Sequence, residues 1–162
     1  MNFIPKLFLY ISLFISVPCI ATPVYSDGSD GLFDPASSGS LSVPTDGIFN
    51  YTSINISSGI DINLERNGFT DMVWLTAVDD IFIDGSLNIT GSIGLSSLNG
   101  NITISDFSLF TADTISIYLA SGNLTINSSN SITNTDITIT GGSNGSIISD
   151  GNITLDDTVI LS

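Results

Sequence analysis

Two adjacent carboxylate pairs, Asp79-Asp80 and Asp156-Asp157, are the side chains of this sequence best suited to chemistry. Clustered acids act as general acid and base in glycoside cleavage, or as calcium ligands. Their spacing works against both uses. Neighbours on a strand point to opposite faces, and Asp is common at the corners between strands. A polysaccharide lyase would also need a base to take a proton from an acidic sugar. The chain has no histidine, and its two cations are Lys6 and Arg66. The acid pairs therefore read as turn residues. No catalytic residue is expected, and the chain is expected not to be an enzyme.

Metal and ligand candidates are few. Asp27 and Asp30, in Ser26-Asp27-Gly28-Ser29-Asp30-Gly31, are candidate calcium ligands, although the run lacks the spacing and terminal acid of an EF-hand loop. Gly141-Gly142-Ser143-Asn144-Gly145 resembles a glycine-rich calcium repeat but has no Asp where that repeat needs one. Apart from calcium, no cofactor is expected. Trp74 and Phe82 are expected to pack the N-terminal turns rather than to bind sugar. Ranks of outward threonine would suit ice, but Thr103 and Thr125 are followed at the same spacing by Ile147, which breaks the rank. Eight Asn-x-Ser/Thr sequons follow from a composition rich in Asn, Ser and Thr.

The elements holding these residues begin after a leader. Lys6, the apolar run Leu7 to Val17 and the small residues ending Cys19-Ile20-Ala21 have the layout of a secretory signal peptide, with cleavage expected after Ala21. Cleavage there would leave no cysteine, and so no disulfide or thiol chemistry. The formal net charge is −14, and all sixteen acids lie beyond the leader. Such a surface repels nucleic acid and anionic membranes, whose binding needs Lys and Arg. Carbohydrate or envelope components remain the expected partners.

Residues 22–46, rich in Gly, Ser, Asp and Pro, read as an irregular leader. Residues 47–92 read as N-terminal capping strands and first turns. Ile60-Asp61-Ile62-Asn63-Leu64 alternates with period two, and Met72 to Val78 is an apolar run suited to a strand covered on both faces. From Ile93 onward a repeat of 22 residues takes over. Ile93, Ile115, Ile137 and Val159 form one column. Leu95, Ile117, Ile139 and Leu161 form a second, and Ile104, Ile126 and Ile148 a third. A fixed period of this size is the mark of a solenoid. Each copy holds about three short strands. Coiling the chain so that each turn lies on the last turns the columns into interior ladders. The predicted fold is an all-β, single-stranded parallel β-helix over residues 93–162, with Ile137 and Ile139 inward and Thr138 outward. Its C-terminal rung is expected to be open and to favour end-to-end self-association.

Gly122-Asn123-Leu124-Thr125-Ile126 and Asp150-Gly151-Asn152-Ile153-Thr154-Leu155 carry a resemblance to exported bacterial right-handed parallel β-helix proteins of the filamentous-haemagglutinin-like kind. The segment Ser26-Asp27-Gly28-Ser29-Asp30-Gly31, followed by Asp46-Gly47-Ile48-Phe49-Asn50 and on to Ile56, is similar to the N-terminal part of a group of secreted bacterial proteins, and the resemblance covers residues 26–162. The resemblance implies a secreted or cell-surface structural protein serving adhesion or envelope attachment. The alternatives are a carbohydrate-active β-helix enzyme, either hydrolase or lyase, and a truncated piece of a longer surface protein.

Overall fold

The computed structural model describes residues 24–105, 110–128, 136–141, 144–149 and 160–161. Every regular element among them is a strand, and every strand pairing is parallel. The chain is a β-solenoid whose successive turns stack on one another in about 22-residue steps, as the repeat predicts.

Three facets make up the coil. The first contains the front half of β3 (Ile48–Ile56), then β5 (Val73–Ala77), β8 (Ser92–Ser97), β11 (Thr114–Leu119), β13 (Asp136–Gly141) and β15 (Ile160–Leu161). The second contains the back half of β3, then β6 (Ile81–Ile83), β9 (Ile102–Ile104), β12 (Asn123–Ser128) and β14 (Asn144–Ser149). The third contains β2 (Gly39–Ser42), β4 (Asp61–Glu65), β7 (Ser86–Ile89) and β10 (Phe110–Thr111). β1 (Gly31–Phe33) pairs with β3 at the start of the stack.

Alternation decides which residues fill the interior, because successive side chains on a strand point to opposite faces. Ile54, Ile81, Ile102 and Leu124 pair in one continuous ladder, and Ile56, Ile83, Ile104 and Ile126 in the next. All eight are buried. On the first facet Leu75, Leu95 and Ile117 form an equivalent ladder, and on the third Ile62 sits beside Leu87. A fully buried aliphatic side chain stabilises by about 1.5–3 kcal/mol. A single rung cannot bury two such residues; the stack does. Val73–Ala77 is buried at every position, in keeping with the apolar run around Trp74.

Backbone pairing keeps the predicted columns on the first facet: Ile93 with Ile115, Ile115 with Ile137, Leu95 with Ile117, Ile117 with Ile139 and Ile139 with Leu161. Val159 and the side chains of Ile137, Thr138 and Ile139 lie outside the described residues.

Two expectations are corrected. The column Ile104–Ile126 continues to Ile147, not Ile148, because β12 and β14 pair one residue short of the 22-residue step. In the backbone pairing Thr103–Thr125 accordingly continues to Ser146. The segment 22–46 is not an irregular leader throughout, since Gly39–Ser42 pairs in register with Ile62–Glu65 and Gly31–Phe33 with β3. Neighbouring strands supply hydrogen bonds and apolar cover that this Gly- and Ser-rich stretch cannot supply for itself.

The corners are held by side chains reaching from rung to rung. The Ser97 hydroxyl lies 2.8 and 2.9 Å from the Asp79 and Gly100 carbonyls, which share its one proton, and it accepts from the Gly100 N–H. Gly122, at φ +88°, stacks so closely on Gly100 that a Cβ there would lie 2.3 Å from the Gly100 carbonyl oxygen. Outside the first facet runs a strap. Ser26 donates to the Tyr51 carbonyl at 2.7 Å, Gly28 lies against Thr52 and Val78, and the Tyr25 and Tyr118 hydroxyls are 2.8 Å apart.

Candidate functional site

The second facet turns its outward residues to solvent in one column: Asn55, Phe82, Thr103 and Thr125. Three of them are polar. Phe82 is the exception, and it is 39% exposed. The expectation that Trp74 and Phe82 both pack the N-terminal turns therefore holds for Trp74 alone. Trp74 is 7% exposed, and its ring covers Gly94 so closely that a Cβ there would lie 2.4 Å from it. Ile81 and Ile83 take the two inward positions of β6, so the ring between them has to point outward.

Phe82 lies in a groove of about 560 Å³ at the corner between the first and second facets. β3 passes this corner as one unbroken strand, whereas the next two rungs turn it with Val78–Asp80 and Leu98–Asn101. The groove is lined by Asn55, Asp79, Asp80, Phe82, Asn99 and Asn101, among others. Its floor is pinned by backbone bonds. Asp79 N–H donates to the Thr52 carbonyl at 2.8 Å, Ile54 N–H to Asp80 at 3.0 Å and Ile81 N–H to Asn101 at 2.8 Å.

The polar rim is also held. Asp80 Oδ1 accepts from the Asn101 backbone N–H at 2.7 Å and from Asn101 Nδ2 at 3.1 Å. Asn101 Oδ1 then accepts from Asn123 N–H at 3.0 Å, which carries the chain of bonds into the next rung. Asn55 Nδ2 donates to Asp34 Oδ1 at 2.9 Å. The corner position expected of Asp79-Asp80 is thus the one observed, with both residues exposed. Asp156 and Asp157 lie outside the described residues, as do Gly142 and Ser143 of the glycine-rich run.

The two candidate calcium ligands have separate structural tasks. Asp27 Oδ1 accepts from Ser29 N–H at 2.9 Å, closing a local turn. Hydrogen bonding from Ser29, side chain first and backbone second, holds the Asp27 carboxyl below its ordinary value. Asp30 Oδ2 accepts from Asn50 N–H at 2.7 Å, tying the start of the stack to β3. Among the described residues no three His, Cys, Asp or Glu side chains gather closely enough to hold a metal ion.

Arg66 works as a clamp. Its Nη1 donates to the Asp71 carbonyl at 2.7 Å and to Phe69 at 3.2 Å, and its Nη2 donates to the Ser92 carbonyl at 2.8 Å. The guanidinium thus ties the loop after β4 to the start of β8. Tyr51 closes the corner from inside, stacked against Phe33 and Phe49 with ring centroids at 4.9 and 5.9 Å. Burial, and then the negative charge of Asp30, push its phenol up to about 12.

Sequence reasoning missed the groove because its residues are far apart along the chain and belong to three different rungs. The signal available was the odd residue in a polar column, once Phe82 is aligned with Thr103 and Thr125. No protein-family model, curated protein or solved structure matches the chain.

Proposed function

We propose that this protein is a secreted or cell-surface β-solenoid scaffold, non-catalytic, serving adhesion or attachment to the envelope. The observation that supports this reading is the employment of its carboxylates. Asp30, Asp34, Asp61 and Asp80 each accept a hydrogen bond from a neighbouring rung. A carboxylate fixed in this way contributes to stability, since charge-assisted bonds are the stronger kind. It is poorly placed to exchange protons with a substrate. The one arginine is likewise engaged with backbone carbonyls. What remains outward is a rigid, acidic, hydroxyl- and amide-rich wall, the surface of a spacer or a binding platform.

The test is to express the full-length chain in a secreting bacterial host, then fractionate the cells and weigh the exported product. Recovery on the surface or in the medium, with the mass of a chain starting at Thr22, supports export. Retention in the cytoplasm overturns it. Incubation with neutral and acidic polysaccharides should release neither reducing ends nor unsaturated sugars. Release that is lost in Asp79→Asn would establish an enzyme instead.

A further inference from the structure

We propose that the corner groove around Phe82 binds an uncharged oligosaccharide, with the phenyl ring stacked on the apolar face of one sugar ring. This deepens the adhesion reading by naming the class of ligand, and it rests on that reading only for its biological setting.

Three observations on the groove converge. The first is Phe82 itself. At an outward position whose column partners are Asn55, Thr103 and Thr125, a phenyl ring adds nothing to the interior and leaves 39% of its surface in water. A phenyl ring exposed beside polar groups offers a partner for the C–H-lined face of a pyranose. The second is the chemistry of the rim. Asp79 and Asp80 bring carboxylate oxygens, which accept from sugar hydroxyls, and the bonds that Asn101 donates both fall on Asp80 Oδ1. The third is rigidity. The floor is cross-bonded over three rungs, so little conformational freedom is lost when a ligand settles.

Charge selects among glycans. Two carboxylates at the groove, on a chain of net charge −14, repel uronates, sulfated sugars and sialylated chains. A volume of about 560 Å³ in an open groove accommodates a short stretch of a longer polymer rather than a whole chain. Apolar peptide is a poorer match, because Phe82 is the one strongly exposed apolar side chain among the residues lining the groove.

The experiment uses the full-length exported chain in affinity electrophoresis through gels holding a neutral polymer (glucan, mannan, galactan or xylan) or polygalacturonate, each with and without added calcium. The expected result is retardation by at least one neutral polymer and none by polygalacturonate. Phe82→Thr, which copies the residue of the next two rungs, should weaken that binding about tenfold or more. Phe82→Trp should keep it, and Asp80→Asn should reduce it. Circular dichroism and the melting temperature of each variant establish that the solenoid is intact, and Thr125→Ala, away from the groove, should bind like the parent.

Four results would overturn the proposal: no neutral polymer retarding the chain, equal binding by a folded Phe82→Thr, tighter binding to polygalacturonate, or a response to calcium alone. The two readings separate in a cell-attachment assay. Attachment that survives Phe82→Thr removes the groove from the account and leaves adhesion standing. Neutral-sugar binding without attachment does the reverse.

Discussion

Isoleucine recurs down the ladders because one position along a strand decides between core and solvent. Ile117 is 1% exposed, while its neighbour Ser116 is partly open to solvent. Ile117→Asp would place a carboxylate in an apolar ladder, and a loss of several kcal/mol is expected. Ser116→Asp should change stability by about 0.5 kcal/mol or less. Thermal denaturation of the two variants side by side checks the facing, and similar melting temperatures would refute it. Tyr51 sets a second test. Its phenol is raised from 10.0 to about 12, so the folded chain holds that proton more tightly than the unfolded chain does. The associated stability is fully present below pH 10 and is lost as pH rises towards 12. Tyr51→Phe keeps the stack with Phe33 and Phe49 and removes this dependence. Alkaline unfolding followed by circular dichroism should therefore begin at higher pH in the variant.

At the scale of strands and corners, the sequence was most legible where one strand type repeats unchanged. Ile93, Ile115 and Ile137 are paired as their spacing predicts, because a 22-residue turn with no insertion keeps every side chain on its own face. Two things hid elsewhere. Pairing of β12 with β14 slips by one residue, and the adjacent isoleucines 147 and 148 made either partner plausible from sequence. β2 has only Leu41 as an apolar residue in Gly39–Ser42, and a strand stabilised by what it stacks on leaves little trace in its own composition. The groove was illegible for a related reason, since its lining comes from Asn55, Phe82 and Asn101, which belong to three different rungs and meet only when the rungs stack. The glycine corner, in contrast, keeps the repeat, since Gly100 and Gly122 stand 22 residues apart. Gly122→Ala should cost about 1–3 kcal/mol, because its φ of +88° strains a side chain and the Cβ would meet the Gly100 carbonyl. A melting temperature unchanged by this substitution would mean that the corner relaxes freely.

For the molecule as a whole, charge is the dominant long-range term. A net charge of −14 on a stacked coil brings like carboxylates close together, and Asp79 and Asp80 adjoin at one corner. Their repulsion is screened as ionic strength rises, the Debye length falling from about 30 Å at 0.01 M to about 10 Å at 0.1 M. The melting temperature should therefore climb with sodium chloride over that range and level off above it. A flat response would show that the rung-to-rung bonds of these acids already compensate their repulsion.

The strap from Tyr25 to Gly28 has a consequence for the order of events in folding. In a coil of this kind each rung touches its neighbours, so the stack can grow turn by turn as the chain is made. The Tyr25 hydroxyl cannot follow that order, because its partner Tyr118 lies 93 residues further along. The aromatic clasp thus closes after the rungs beneath it are laid down, joining the first described residues to a turn they could not have met earlier. It marks the moment at which a growing stack becomes a fastened one.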